Sequence, residues 1–121
     1  TDHVRVEVSN GVLTLTLARP EKMNALSNEM YSALADTLER AESDQGKGYL
    51  FQGQGIHFTA GNDLVDFAKG TADDKAERPA FRYIRALARA TKPLVAAVQG
   101  NAVGVGTTML LHSLMRLPVF Q

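Results

Sequence analysis

The stretch Val4-Arg5-Val6-Glu7-Val8-Ser9-Asn10-Gly11-Val12-Leu13-Thr14-Leu15-Thr16-Leu17 decides how the fold begins. Apolar residues alternate with polar ones on both sides of Asn10-Gly11, as in two strands that each bury one face. Asparagine and glycine tolerate the positive φ of a tight turn, so the stretch predicts a β-hairpin.

Helix and strand patterns alternate after the hairpin. Ser27 is a predicted N-cap, and the helix behind it has an apolar face of Met30, Leu34, Leu38 and Ala41. Buried strands are predicted at residues 49–51 and 94–98, and a final helix from Gly106 through Leu111. This order predicts an α/β fold with some parallel strand pairing.

A second amphipathic helix is predicted from Pro79 to Thr91. Its inner side is expected to hold Ala80, Phe81, Ile84, Leu87 and Ala88. Cations recur at steps of three and four along it, at Arg78, Arg82, Arg85, Arg89 and Lys92. This stripe is either a solvated helix face or a surface that faces a phosphate or a partner.

Composition limits the class of protein. The 121 residues hold 13 Lys and Arg, 13 Asp and Glu, and no cysteine, so disulfides, thiolate zinc sites and thiol nucleophiles are excluded. Zero net charge gives no general attraction to nucleic acid or to an anionic membrane, so neither is an expected partner. The chain shows no secretory signal pattern, and we expect a cytoplasmic protein.

Residues 71–79 are polar, which predicts a surface loop or lid.

Two glycine-containing segments, residues 58–64 and 99–106, each follow a predicted strand. Main-chain N–H groups at such turns can hold an oxyanion between them, although a strand-glycine-helix turn is also a simple way to reverse the chain. Neither segment contains a dinucleotide-binding, P-loop or nucleophile-elbow motif. His57 and His112 have no ligand-spaced partners, so no metal site is expected. Asp63 and Asp66 are expected to act in capping.

Four blocks in order resemble the enoyl-CoA hydratase/isomerase (crotonase) superfamily, as far as about His112. They are the opening hairpin, Arg19-Pro20-Glu21-Lys22-Met23-Asn24-Ala25-Leu26-Ser27, Phe58-Thr59-Ala60-Gly61-Asn62-Asp63-Leu64, and Lys92-Pro93-Leu94-Val95-Ala96-Ala97-Val98-Gln99-Gly100. The resemblance implies an α/β fold of repeated β-β-α units, the ClpP/crotonase-like fold. Residues 1–121 would then be the N-terminal part of a single domain that is incomplete in this chain.

The resemblance also implies a reaction centre. A coenzyme A thioester would be the substrate, with no permanently bound cofactor, and the backbone N–H groups of Asn62 and Val105 would form an oxyanion hole. Val105 stands where the family usually has glycine. Further residues implied in binding the substrate and its coenzyme A are Lys22, Met23, Ala25, Ala60, Gly61, Asp63, Leu64 and Gly104. The implied assembly is a homotrimer or a dimer of trimers, with a role in fatty acid metabolism.

One departure from the family pattern favours a particular reaction. Hydratases of the family carry glutamate where this chain has Thr108, and threonine has no useful pKa as an acid or base. The resemblance is therefore nearer to the Δ3,Δ2-enoyl-CoA isomerase branch, whose acid/base carboxylate would lie past Gln121. A hydratase (a lyase), a hydrolase, a decarboxylase and a non-catalytic acyl-CoA-binding homologue stay as alternatives, as does a binding module unrelated to coenzyme A.

Overall fold

One sheet of five strands organises the chain, and its strands lie side by side in chain order. The computed structural model describes residues 1–69 and 78–100 and the backbone of 115–118. The strands are β1 (Val4–Ser9), β2 (Val12–Leu17), β3 (Gly48–Gly53), β4 (Leu94–Val98) and β5 (Met115–Pro118). The helices are α1 (Asn28–Ala41), α2 (Leu64–Ala68) and α3 (Pro79–Arg89).

The predicted hairpin is confirmed. Strands β1 and β2 pair antiparallel, with Val4 opposite Leu17. Asn10 and Gly11 form the turn, and their φ values of 51° and 82° lie in the left-handed region that these residue types tolerate.

The other strand pairs are parallel, as the alternation of helices and strands predicts. Gly48 of β3 pairs with Val12 of β2, Leu94 of β4 with Tyr49, and Met115 of β5 with Val95. Parallel neighbours require a long crossover, and α1 provides the one between β2 and β3. Strand β5 had no counterpart in the sequence-based prediction.

Helix α1 follows its predicted pattern. The Ser27 hydroxyl accepts a hydrogen bond from the N–H of Met30 at 3.2 Å, which satisfies one of the free donors of the first turn. Its predicted apolar face is buried, with Met30 and Leu34 fully so. These side chains form one core with the inward residues of the sheet, such as Leu15 and Phe51.

Helix α3 presents a different face from the predicted one. Ala80 and Leu87 are buried as expected, but Tyr83 and Ala86 complete the inner stripe, while Phe81 is 56% exposed and Ala88 is also exposed. Successive helical residues lie about 100° apart, so a stripe centred between Ala80 and Leu87 turns Phe81 outward. The prediction followed apolar residue types and passed over Tyr83, whose ring packs against Tyr31 of α1 at 5.8 Å between centroids.

Two cations of the stripe, Arg82 and Lys92, bond to α1. At these two positions the stripe is neither simply solvated nor free to face a phosphate. Arg82 forms ion pairs with Asp36 and Glu39 of α1 at 2.5 and 2.6 Å. The Lys92 ammonium donates to the carbonyl oxygens of Ala41 and Asp44, at the carboxyl end of α1, where a cation is favoured by the helix dipole. These contacts attach α3 and its following turn to α1.

Parts of the prediction fall outside the described residues. They are the helix from Gly106 through Leu111 and residues 71–77 of the expected loop or lid. In the described part of the chain, no helix is long and apolar enough to cross a membrane.

Candidate functional site

A groove of about 560 Å³ opens where the loop of residues 19–26 meets the segment of residues 59–63 and the start of α2. Its lining includes seven residues that the sequence assigned to the substrate or to catalysis: Lys22, Met23, Ala25, Ala60, Asn62, Asp63 and Leu64. Gly61 is buried behind this surface, and Gly104 and Val105 lie outside the described residues. The two sequence blocks thus meet at one place.

Loop 19–26 is built around the buried side chain of Asn24. Its Oδ1 accepts from the N–H of Arg19 at 2.8 Å, and its Nδ2 donates to the carbonyl oxygens of Gln54 and His57, both at 2.9 Å. Asn24 has φ of 56° and Met23 has φ of 53°. The left-handed pair folds the loop back on itself, and the amide side chain fixes it to the turn after β3.

Main-chain hydrogen bonds join this loop to segment 59–63. The N–H of Ala60 donates to the Met23 carbonyl at 2.9 Å, and the N–H of Leu26 donates to the Gly61 carbonyl at 2.7 Å. The buried Thr59 hydroxyl donates to the Asn24 carbonyl at 2.7 Å and accepts from the N–H of Gly61 at 3.1 Å. Both walls of the groove therefore have a fixed backbone.

The peptide N–H of Asn62 has a defined direction. The Gly61 carbonyl accepts from Leu26, and the N–H of Asp63 donates back to the Leu26 carbonyl at 2.9 Å. Because N–H and C=O point in opposite directions across a planar trans peptide, the N–H of Asn62 points away from Leu26. Among the described residues no acceptor bonds to it, so within this part of the chain it is an unoccupied main-chain donor beside the groove.

Asp63 and Asp66 act structurally, as expected. The Asp63 carboxylate accepts from the N–H of Asp66 at 3.1 Å and pairs with the Arg19 guanidinium at 2.8 Å. These contacts, the Asp66 N–H first and Arg19 second, hold the pKa of Asp63 below its ordinary value. Asp66 in turn accepts from the N–H of Asn28, at the start of α1. Asp63 is therefore a charged anchor of the groove wall and not a proton donor near neutral pH.

Sequence reasoning missed four residues of the lining as site residues: Arg19, Val65, Asp66 and Lys69. The last three lie on or just after α2, and a helix starting at Leu64 is the signal that could have found them. Val65 is 75% exposed and Leu64 is 79% exposed, so α2 adds an apolar rim. Neither Lys22 nor Lys69 forms an ion pair within the described ranges, which leaves two ammonium groups at the groove.

The start of the second glycine turn packs against the end of β3. The Gln99 carbonyl accepts from the N–H of Phe58 at 2.7 Å, and the Gln99 side chain donates to the Gly53 and Gly55 carbonyls at 2.5 and 3.1 Å. A Cβ at Gly100 would lie 2.5 Å from His57 Nδ1. Glycine at this position serves close packing between the two turns.

Residues 1–69 and 78–100 bring together no three His, Asp or Glu side chains that could hold a metal ion.

The sequence model described as "Enoyl-CoA hydratase/isomerase" matches residues 7–115. The 1,2-epoxyphenylacetyl-CoA isomerase of Escherichia coli (strain K12) is 40% identical over 111 residues, which cover 86% of this chain and 42% of that protein. Enoyl-CoA delta isomerase 2 of Rattus norvegicus is 33% identical over 112 residues, which cover 88% of this chain and 29% of that protein. Other similar proteins carry hydratase and dehalogenase names.

Solved structures agree with the sequence matches. The crystal structure of an enoyl-CoA hydratase/isomerase from Pseudoalteromonas atlantica T6c superposes with a TM-score of 0.89 and 44% identity, over 96% of this chain and 46% of that chain. The chain thus spans less than half the length of these relatives.

Proposed function

The chain belongs to the enoyl-CoA hydratase/isomerase family and has its crotonase fold, and from this premise we propose that the groove binds a coenzyme A thioester. The thioester oxygen would accept from the N–H of Asn62 and from that of Val105. As charge develops on this oxygen, the two donors stabilise the enolate. One such donor contributes a factor of ~10² to 10³ in rate.

One observation carries this proposal. The N–H of Asn62, which bonds to no acceptor among the described residues, belongs to a backbone that is fixed on both sides by Leu26, in a groove lined by two separate sequence blocks. A donor held in place before the substrate arrives needs no reorganisation when the reaction occurs, and this is the condition for strong electrostatic stabilisation.

The charge and shape of the groove fit a thioester with a phosphate-bearing carrier. Lys22 and Lys69 can meet anionic phosphate oxygens as point charges. The exposed apolar side chains of Met23, Leu64 and Val65 offer contact surface to an uncharged chain. The Arg19 guanidinium is engaged with Asp63 and so contributes to the wall.

Within the family, isomerisation of a 3-enoyl-CoA to a 2-enoyl-CoA is the proposed reaction. A proton leaves C2, the resulting dienolate is held at its oxygen, and a proton is added at C4. Thr108, in place of the hydratase glutamate, supports this choice over hydration, and so does the name of one relative, enoyl-CoA delta isomerase 2. A carboxylate elsewhere in the full-length protein would move the proton. The assembly would be a homotrimer or a dimer of trimers.

Val105→Pro in the full-length protein tests the second donor, because proline has no backbone N–H. We expect turnover of a 3-enoyl-CoA to fall by ~10² to 10³. Val105→Ala is the matched control, since it shortens the side chain but keeps the N–H, and it should stay within a few-fold of the natural protein. If Val105→Pro retains full activity, Val105 is not an oxyanion donor.

Comparing substrates tests the reaction. We expect the natural protein to consume a 3-enoyl-CoA and to leave a 2-enoyl-CoA without added water. Rapid hydration of the 2-enoyl-CoA, with no isomerisation, would assign the protein to the hydratases. The absence of any thermal shift with saturating acyl-CoA would refute thioester binding itself, since a ligand of the native state raises the melting temperature.

A further inference from the structure

Tyr31 of α1 is bonded to Asn62, one of the residues that line the groove. Its side chain is fully buried, and its hydroxyl donates to the Oδ1 of Asn62. The ring also packs against Tyr83 of α3, with the two planes tilted by 41°. Burial raises the pKa of Tyr31 above its ordinary value, so the hydroxyl is a hydrogen-bond donor at neutral pH.

We propose that Tyr31 is a positioning residue: it holds the side chain of Asn62 and thereby the direction of the neighbouring N–H that receives the thioester oxygen. This inference rests on the proposed function. Under this proposal the Asn62 side chain has a function, whereas the sequence analysis assigned one only to the Asn62 backbone N–H.

The need for this anchor follows from the backbone around it. Gly61 has φ of 87°, and glycine at such a position adopts many other conformations at little cost. The peptide between Gly61 and Asn62 can rotate about the bonds on either side, and rotation would swing the N–H away from the thioester oxygen. Leu26 resists that rotation through the main chain, since it donates to the Gly61 carbonyl and accepts from the N–H of Asp63. Tyr31 adds a third point of attachment, on the side chain of Asn62 itself.

The anchor itself is rigid. Tyr31 belongs to the first turn of α1, where Met30 and Leu34 are fully buried beside it. A side chain held by a packed helix loses little further freedom when it forms a hydrogen bond, so the position of Asn62 is tied to the protein core.

Tyr31→Phe in the full-length protein removes the hydroxyl and keeps the ring. We expect kcat for the acyl-CoA substrate to fall about tenfold, because a small displacement of a catalytic group costs up to about 10²-fold. KM should change less than about twofold, because the groove walls stay in place. Tyr49→Phe is the matched control: Tyr49 is also a buried tyrosine, and its hydroxyl donates to Glu42, which does not line the groove. It should lower the melting temperature similarly and leave kcat unchanged.

A double variant distinguishes positioning from general weakening of the fold. In an Asn62→Ala background, Tyr31→Phe should lower kcat no further, because the hydroxyl then has no side chain to hold. The carbonyl stretching frequency of a bound thioester gives a second measurement, since a well-placed donor lowers that frequency. We expect the lowering to be smaller in Tyr31→Phe than in the natural protein.

Two results would overturn the proposal. One is an unchanged kcat and an unchanged carbonyl frequency in Tyr31→Phe; the other is an equal loss of kcat in Tyr49→Phe. Both require a natural protein that turns over a thioester. If no thioester is bound or converted by the natural protein, the proposed function fails first, and the two failures are therefore distinguishable.

Discussion

Replacing Asn24 by alanine should be among the most destabilising changes in the chain that remove no apolar core side chain. Asn24 is fully buried and has φ of 56°. Alanine removes three hydrogen bonds, to Arg19, Gln54 and His57, each worth about 1 kcal/mol. Alanine also tolerates the left-handed region less well than asparagine does, at a cost of about 1 kcal/mol. The expected loss is about 3 to 4 kcal/mol.

Asn10→Ala is the matched control for the backbone part of this loss. Asn10 has nearly the same φ, 51°, but it is exposed, and its side chain forms none of the hydrogen bonds found among the described residues. Its replacement should cost about 1 kcal/mol. Asn24→Gly isolates the contribution of the side-chain hydrogen bonds, since glycine accepts the positive φ but has no amide. This replacement should cost about 2 to 3 kcal/mol.

Urea unfolding of the three variants and the natural protein, at one protein concentration, measures these free energies. The fixed concentration matters because any subunit association would add to apparent stability. If Asn24→Ala and Asn10→Ala differ by less than about 0.5 kcal/mol, the side-chain bonds of Asn24 contribute no net stability. The view that they hold loop 19–26 in place would then be wrong.

Two further predictions concern the turns beside the groove. Gly100→Ala should lower the free energy of unfolding by about 2 to 4 kcal/mol, because its Cβ would lie 2.5 Å from the Ile56 carbonyl and φ is 56°. Gly46→Ala is the control: a Cβ there would have its nearest contact at 3.3 Å, so the loss in the same urea assay should be smaller. Equal losses in the two variants would contradict the clash at Gly100. Asp63→Asn should lower the melting temperature at pH 7 but not in acid. Because the pKa of Asp63 is lowered in the folded protein, the charged carboxylate stabilises the fold fully above the ordinary carboxyl pKa of about 4. This stabilisation is lost as the pH falls through the lower pKa of the folded state. A gap between the two melting curves that stays constant down to pH 2 would contradict this assignment.

Local patterns in the sequence determined much of the fold. Alternating apolar residues around Asn10-Gly11 specify the hairpin, and the 3.6-residue period after Ser27 specifies α1, because burial of one face depends on spacing along a single element. The strand at 94–98 also follows from its own residues. The prediction failed on α3, where Tyr83 and not Phe81 faces inward, because the choice of buried face depends on the partner helix.

The candidate site also depends partly on sequence motifs and partly on tertiary structure. Residues 20–26 and 58–64 were each predicted from a motif of their own, and only the tertiary structure brings them together in one groove. Nothing in the sequence pairs Tyr31 with Asn62, Arg19 with Asp63, or the Asn24 amide with the carbonyls of Gln54 and His57. The first two pairs are 31 and 44 positions apart in the sequence. The Asn24 amide lies 30 and 33 positions from its two carbonyl partners. A hydrogen bond needs a donor and an acceptor about 3 Å apart with the right angle, and only the packing of α1 against the sheet and the two loops supplies that geometry.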